Sequence, residues 1–182
     1  MKNILIIGCG LIGSSILRSI QKNKSSKKIY VFEKSKFNIS KIKKLKLKCT
    51  ITNDLKNIIP KMDLLIFCTP ISQYEPIILK INKFLRPETI ITDVGSTKEE
   101  ILKLINKRLK KNISWVSSHP ISGSEVSGPE FGDENLFLNK WCILIKDKKT
   151  NKKHLNTLHK FWKKIGSKVI IMDKAKHDAI FS

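Results

Sequence analysis

At 182 residues and 41% hydrophobic content, the chain is long enough to bury one substantial core, so one domain with room for a small appendage is expected. No apolar run approaches the roughly 20 residues that a membrane-spanning helix needs, which points to a soluble protein with no membrane partner. The net charge of +21 is almost all lysine, since only Arg18, Arg86 and Arg108 are arginines, and the lysines are scattered without interleaved aromatic residues or a nucleic-acid motif, which argues against a specific nucleic-acid partner.

The first apolar run, residues 4–7, is too short for the secretory apolar region of about 7 to 15 residues, so it reads as a buried strand running into a turn. From there β-branched runs alternate with amphipathic segments. Strands are predicted at 3–7, 28–32, 50–52, 64–68, 90–93 and 115–118, with helices at 11–22, 39–45, 74–84 and 98–109. This alternation predicts an α/β fold of the Rossmann type, a doubly wound, mostly parallel sheet with helices on both faces. Leu64-Leu65-Ile66-Phe67 fits a strand buried on both sides. Residues 119–132 read as a loop rich in Ser, Gly and Pro, followed by a strand at 141–145, a helix at 152–165 ending at Gly166, and a strand at 168–172. Residues 174–182 begin another helix. The expected division is therefore 1–172 as a nucleotide-binding domain and 173–182 as the start of a second, helical one.

The chemistry concentrates after strands. Gly8-Cys9-Gly10-Leu11-Ile12-Gly13 is a G-x-G-x-x-G directly after a predicted strand and opening a predicted helix. Gly8 permits the tight turn, Gly10 lets the backbone approach a pyrophosphate, and Gly13 allows close helix-to-strand packing, with Leu11 and Ile12 in the first helical turn. The helix N-terminus then offers free N–H groups and a favourable dipole to phosphate. Glu33 ends the second strand about twenty residues after Gly13, where a carboxylate accepts from the adenosine ribose hydroxyls and favours NAD. The following Lys34, Ser35 and Lys36 keep NADP open, because a lysine there could meet a 2′-phosphate. Thr69 and Pro70 follow the fourth strand, at the edge where open α/β sheets place their ligand loops; an ordinary turn is the equal alternative. Asp93-Val94-Gly95-Ser96-Thr97-Lys98 after the fifth strand presents the Ser96 hydroxyl and the Lys98 ammonium at that edge, although Ser96 could simply cap the next helix.

His119 begins the loop that follows the sixth predicted strand. Placed at a strand carboxyl end beside Ser96, it is the best candidate for a catalytic base, since an unperturbed imidazole titrates near pH 6.5. His154, His159 and His177 fall in helical segments and have no such placement. Cys9, Cys49, Cys68 and Cys142 form no Cys-x-x-Cys pair and no metal-like cluster with histidine, so reduced thiols in the cytoplasm and no metal are expected.

Several stretches together resemble the prephenate and arogenate dehydrogenase family: 8–15, 93–98, 119–128, 141–144 and 166–178 with its His177-Asp178. The most specific element is Asp93-Val94-Gly95-Ser96 combined with His119-Pro120-Ile121-Ser122-Gly123-Ser124-Glu125. The resemblance implies an NAD-dependent oxidative decarboxylation of prephenate to 4-hydroxyphenylpyruvate in tyrosine biosynthesis. By that likeness His119 draws off the ring-hydroxyl proton, Ser96 positions hydroxyl and nicotinamide, and Ser124 and Glu125 line or gate the substrate pocket. Arogenate as substrate, or a non-catalytic NAD-binding module, are the alternatives. The family also carries a Ser-His-Leu-Pro-His segment and a helical domain with substrate-binding side chains and the dimer interface. This chain stops at Ser182, before that point.

Overall fold

The computed structural model describes residues 1–123 and 125–181. Five strands, β1 (Asn3–Ile7), β2 (Lys28–Phe32), β3 (Thr50–Ile51), β4 (Leu64–Phe67) and β5 (Ile90–Asp93), pair in parallel in the order β3-β2-β1-β4-β5. The chain moves outward from β1 to β3 and then returns to β4 on the other side of β1. That reversal opens a crevice beyond the carboxyl ends of β1 and β4, where ligands of open α/β sheets bind.

The described helices are α1 (Leu11–Lys22), α2 (Lys36–Lys44), α3 (Leu55–Ile58), α4 (Tyr74–Ile81), α5 (Lys98–Arg108), α6 (Lys152–Lys164) and α7 (Lys174–Phe181), with short 3-10 turns between some of them. Side chains alternate across the sheet, so each central strand feeds two cores. Ile4, Ile6, Leu64 and Ile66 pack with Ile16, Leu17 and Ile20 of α1 and with Leu158 and Trp162 of α6. Leu5, Ile7, Leu65 and Phe67 pack with Ile77 and Ile78 of α4 and Ile101 and Ile105 of α5. Both faces of the sheet are thus covered, the doubly wound arrangement that the sequence predicts. Each of these fully buried aliphatic side chains is worth about 1.5–3 kcal/mol of transfer free energy.

A second sheet, β6 (Ser118–Pro120), β7 (Trp141–Lys146) and β8 (Lys168–Asp173), continues from the first. Trp115 forms a parallel bridge to Ile91, and the Val116 N–H donates to the Ile91 carbonyl at 2.9 Å. The chain then switches partner: the Ser117 carbonyl accepts from Ile145, and β6 runs antiparallel to β7 while β7 and β8 are parallel. The expected strand at 115–118 is therefore displaced. Only its first residue bridges to β5, and the ladder proper begins at Ser118 and takes in His119 and Pro120, which the sequence reading assigned to a loop. Two further elements differ. The four-residue helix α3 has too short an apolar period to be seen in the sequence, and α2 begins three residues earlier than expected because the Ser35 hydroxyl caps it, accepting from the Asn38 N–H at 3.2 Å.

Candidate active site

The strand-to-helix turn after β1 is built by exclusion. Gly8 holds φ +89°, and a Cβ there would lie 2.7 Å from Thr69 Cγ2, so only glycine fits both the conformation and the neighbour. A Cβ on Gly13 would meet the Gly8 carbonyl oxygen at 2.2 Å, which is how closely α1 sits on the turn. At Gly10 the same construction finds nothing within 4 Å. The turn is thus closed on its protein side and open where it faces the crevice. Gly10 is the N-cap of α1 and lacks a side-chain cap, and the first turn carries no acidic residue, so the helix meets the opening with its own backbone N–H groups. Leu11 and Ile12 lie half-buried behind them. These features fit a dinucleotide pyrophosphate.

Glu33 stands at the end of β2 against this turn. Its carboxylate accepts from the Cys9 N–H at 2.9 Å and from the Ser35 N–H at 2.9 Å, which fixes it beside the cradle. Ser35 is committed to capping α2, and the exposed Lys34 reaches Gln73 Oε1 at 3.3 Å. On the other side of Gly8, at the end of β4, the Thr69 hydroxyl is buried without a hydrogen-bond partner among the described residues. Pro70 follows it, exposed at the same edge.

Beyond β5 lies a buried polar network. Lys98 Nζ donates to Asp93 Oδ2 at 2.6 Å and to the Ser118 carbonyl at 2.5 Å, and both charged side chains are fully buried. The remaining acceptor sites of Asp93 are met by Trp115 Nε1 at 3.1 Å and the Gly95 N–H at 3.0 Å. The Ser118 hydroxyl is within 2.6 Å of the Thr92 hydroxyl and accepts from Trp162 Nε1 at 3.1 Å. The sequence predicts the Lys98 ammonium at the crevice edge; the structure places it in the interior instead, where it ties the loop after β5 to the strand carrying His119. Burial pulls the Lys98 pKa down, opposed by the Asp93 carboxylate.

His119 is half-buried in β6, next to Ser118, whose hydroxyl meets that of Thr92 near the end of β5, and Ser96 is exposed on the β5–α5 loop. Burial first, then the nearby Lys98 and His177 side chains, push the His119 imidazole down to about 4, against a smaller upward pull from Asp93. It is neutral at physiological pH. His119 Nδ1 lies 3.0 Å from His177 Nε2, with the rings edge to face. His177 is the neighbour of His119 that the sequence does not single out: it lies in a helix, as expected, but that helix, α7, delivers it to His119. The available signal was its place within the stretch 166–178 that carries the family likeness. Glu125 is exposed on the loop after β6, and Ser124 lies outside the described residues. Among the described residues no cluster of three or more His, Cys, Asp or Glu could hold a metal, and no helix is long and apolar enough to cross a membrane.

A parallel sheet with its crevice at the β1/β4 reversal, a glycine cradle open to that crevice and a carboxylate fixed at the end of β2 define a Rossmann dinucleotide-binding domain. A family profile described as "Prephenate dehydrogenase, nucleotide-binding domain" matches residues 16–171, and the chain belongs to that family. It is 30% identical over 181 residues to the cyclohexadienyl dehydrogenase of Zymomonas mobilis, covering 100% of this chain and 61% of that protein. It is 32% identical to the prephenate dehydrogenase of Lactococcus lactis, covering 99% of this chain and 49% of that one. Among solved structures, prephenate dehydrogenase from Aquifex aeolicus superposes with a TM-score of 0.89 at 31% identity, over 100% of this chain and 65% of that one. A complex of the Aquifex aeolicus enzyme with hydroxyphenyl propionate and NAD+ gives the same TM-score at 32% identity, over 100% of this chain and 63% of that one. The chain therefore spans less than two thirds of the length of each of these relatives.

Proposed function

We propose that the chain is the NAD-binding part of a dehydrogenase that oxidatively decarboxylates prephenate to 4-hydroxyphenylpyruvate in the cytoplasm. The observation that carries the reading is a neutral His119 in β6 together with an open dinucleotide cradle, in a member of this family. The backbone of Gly8, Gly10, Leu11, Ile12 and Gly13 meets the pyrophosphate, and Glu33 accepts from the adenosine ribose hydroxyls. Its fixed carboxylate beside the cradle favours NAD over NADP, since a 2′-phosphate would meet like charge there. Thr69 and Pro70 border the nicotinamide side. When bound, NAD supplies the hydride acceptor.

His119 accepts the proton of the ring hydroxyl while hydride leaves the carbon that bears it. The resulting dienone loses the ring carboxylate as carbon dioxide, its electrons pass to the oxygen, and His119 returns the proton to the phenolate, so the protein ends unchanged. Ser96 holds the hydroxyl in line, and Ser124 and Glu125 border the substrate. A base held down to about 4 is weak for this task. The two carboxylates of prephenate bring negative charge to the site, which raises the pKa of the imidazole back toward its ordinary value as substrate binds.

Residues 1–172 hold the nucleotide in this reading, and the segment from 173 begins the helical part that completes the substrate site and carries a dimer interface. The test is steady-state NADH formation from prephenate and NAD. Turnover abolished in His119→Asn supports the reading, and undiminished turnover in that variant removes His119 from the role. The alternative, a nucleotide-binding module without catalysis of its own, is selected by saturable NADH binding with no turnover at any prephenate concentration. Arogenate in place of prephenate is distinguished by comparing the two substrates directly.

A further inference from the structure

We infer that His177 is a positioning residue that selects the working tautomer of His119, accepting the His119 Nδ1–H at its own Nε2. The inference rests on the proposed role of His119 as the proton acceptor. The geometry comes first: Nδ1 of His119 and Nε2 of His177 are 3.0 Å apart, and the rings meet edge to face at 5.3 Å between centroids. At that separation one nitrogen carries the hydrogen and the other the lone pair. If His177 donated, neutral His119 would carry its hydrogen on Nε2, and neither of its nitrogens could take a proton from a substrate. If His119 donates, its Nε2 lone pair is the basic atom and the site works. The proposed chemistry therefore requires the second arrangement.

The surroundings make the pair rigid enough to enforce that choice. His177 is 1% exposed on α7, which packs against α5, β7 and β8, so its ring has little freedom to leave. The His119 backbone is pinned from the other side, because Lys98 holds the preceding carbonyl, that of Ser118, at 2.5 Å. One anchor fixes the strand and the other fixes the ring. When His119 takes the substrate proton, its Nδ1–H stays on the lone pair of His177, so the imidazolium keeps a neutral acceptor inside a site where burial and Lys98 otherwise oppose the positive charge. A carboxylate performs this service in the Ser-His-Asp arrangement; here a second imidazole stands in that position and adds no charge of its own. The charged and titratable groups around His119 include Lys98 from α5, Asp93 from β5, Cys142 from the facing strand β7 and His177 from α7.

The test reads the tautomer directly, by long-range proton–nitrogen NMR of the imidazoles of the 182-residue chain at pH 7.5 or so, well above the His119 pKa. Wild type is expected to show His119 with its hydrogen on Nδ1. His177→Phe, which keeps an aromatic ring but removes the acceptor, is expected to move it to Nε2. His177→Gln, whose amide oxygen can still accept, is expected to restore the Nδ1–H form. An Nε2–H tautomer in wild type, or a tautomer unmoved in both variants, overturns the inference. Should His177→Phe fail to fold, the wild-type tautomer and His177→Gln decide alone. In the turnover assay the same variants separate position from packing: kcat falls about tenfold or more in His177→Phe at unchanged KM for NAD and recovers in His177→Gln. A wild type that shows the Nδ1–H tautomer but oxidises no prephenate sinks the proposed reaction and leaves the tautomer selection standing.

Discussion

Replacing Lys98 by methionine removes one half of an ion pair in which both side chains are fully buried and 2.6 Å apart. The aliphatic part of the side chain is preserved, so the loss is electrostatic. The Asp93 carboxylate keeps the Trp115 and Gly95 N–H groups but no longer faces a cation, and the Ser118 carbonyl loses the ammonium donor. Breaking a buried pair at one partner costs about 3–5 kcal/mol, because an uncompensated charge is left in the interior. For a domain of this size each kcal/mol moves Tm by about 2–4 °C, so a fall of about 6–20 °C is expected. Thermal and urea denaturation followed by circular dichroism measure it. The Asp93→Asn, Lys98→Met double variant, which leaves no buried charge, is expected to regain at least half of the loss. The same substitution removes one of the charges that lower the His119 pKa, so the histidine should titrate at higher pH by NMR. A single variant within about 1 kcal/mol of wild type, or a double variant as destabilised as the two single changes added together, would refute the assignment of the network as a charge-compensated clamp.

Gly13→Ala places a methyl group 2.2 Å from the Gly8 carbonyl, against backbone that cannot swing away; a loss of about 1–3 kcal/mol or more is expected in urea unfolding, and a stable variant would mean that the turn is looser than described. His119 titrates at about 4 in the fold, below its ordinary 6.5, so the unfolded chain binds more protons between those values. Its contribution to stability is therefore complete above pH 6.5 and lost as pH falls to about 4, and urea midpoints across that range should fall less steeply in His119→Gln than in wild type. Glu33→Gln removes the carboxylate that is fixed beside the cradle; NAD is expected to bind about tenfold more weakly and the preference over NADP to shrink, read by isothermal calorimetry.

What could be read from the residues was what depends on neighbours in the chain. The glycine turn, the continuous apolar strands such as Leu64 to Phe67 and the helix after each strand are short-range patterns, and they recur in place in the fold. The displaced sixth strand shows where short range ends: its β-branched and aromatic residues signal extended chain, but which neighbour they pair with is decided by β7, more than twenty residues later. Lys98 marks a second boundary. A lysine after a strand reads as a surface charge, and nothing local reveals that Asp93 and the Ser118 carbonyl form a buried socket for it. His177 marks a third, since its contact with His119 bridges 58 positions and exists only because β8 turns directly into α7. The position of Thr69 after β4 follows from the order of strands, while the burial of its hydroxyl is a property of packing.

The central claim is that the opening at Gly10 holds a dinucleotide. Titrating NADH and NADPH by fluorescence into wild type and Gly10→Val tests it most directly, because a Cβ at Gly10 meets no protein atom within 4 Å. Saturable binding that is tighter for NADH, and lost in Gly10→Val at an unchanged melting temperature, is the predicted result. Binding that survives intact in Gly10→Val, or no binding by wild type, would contradict the account.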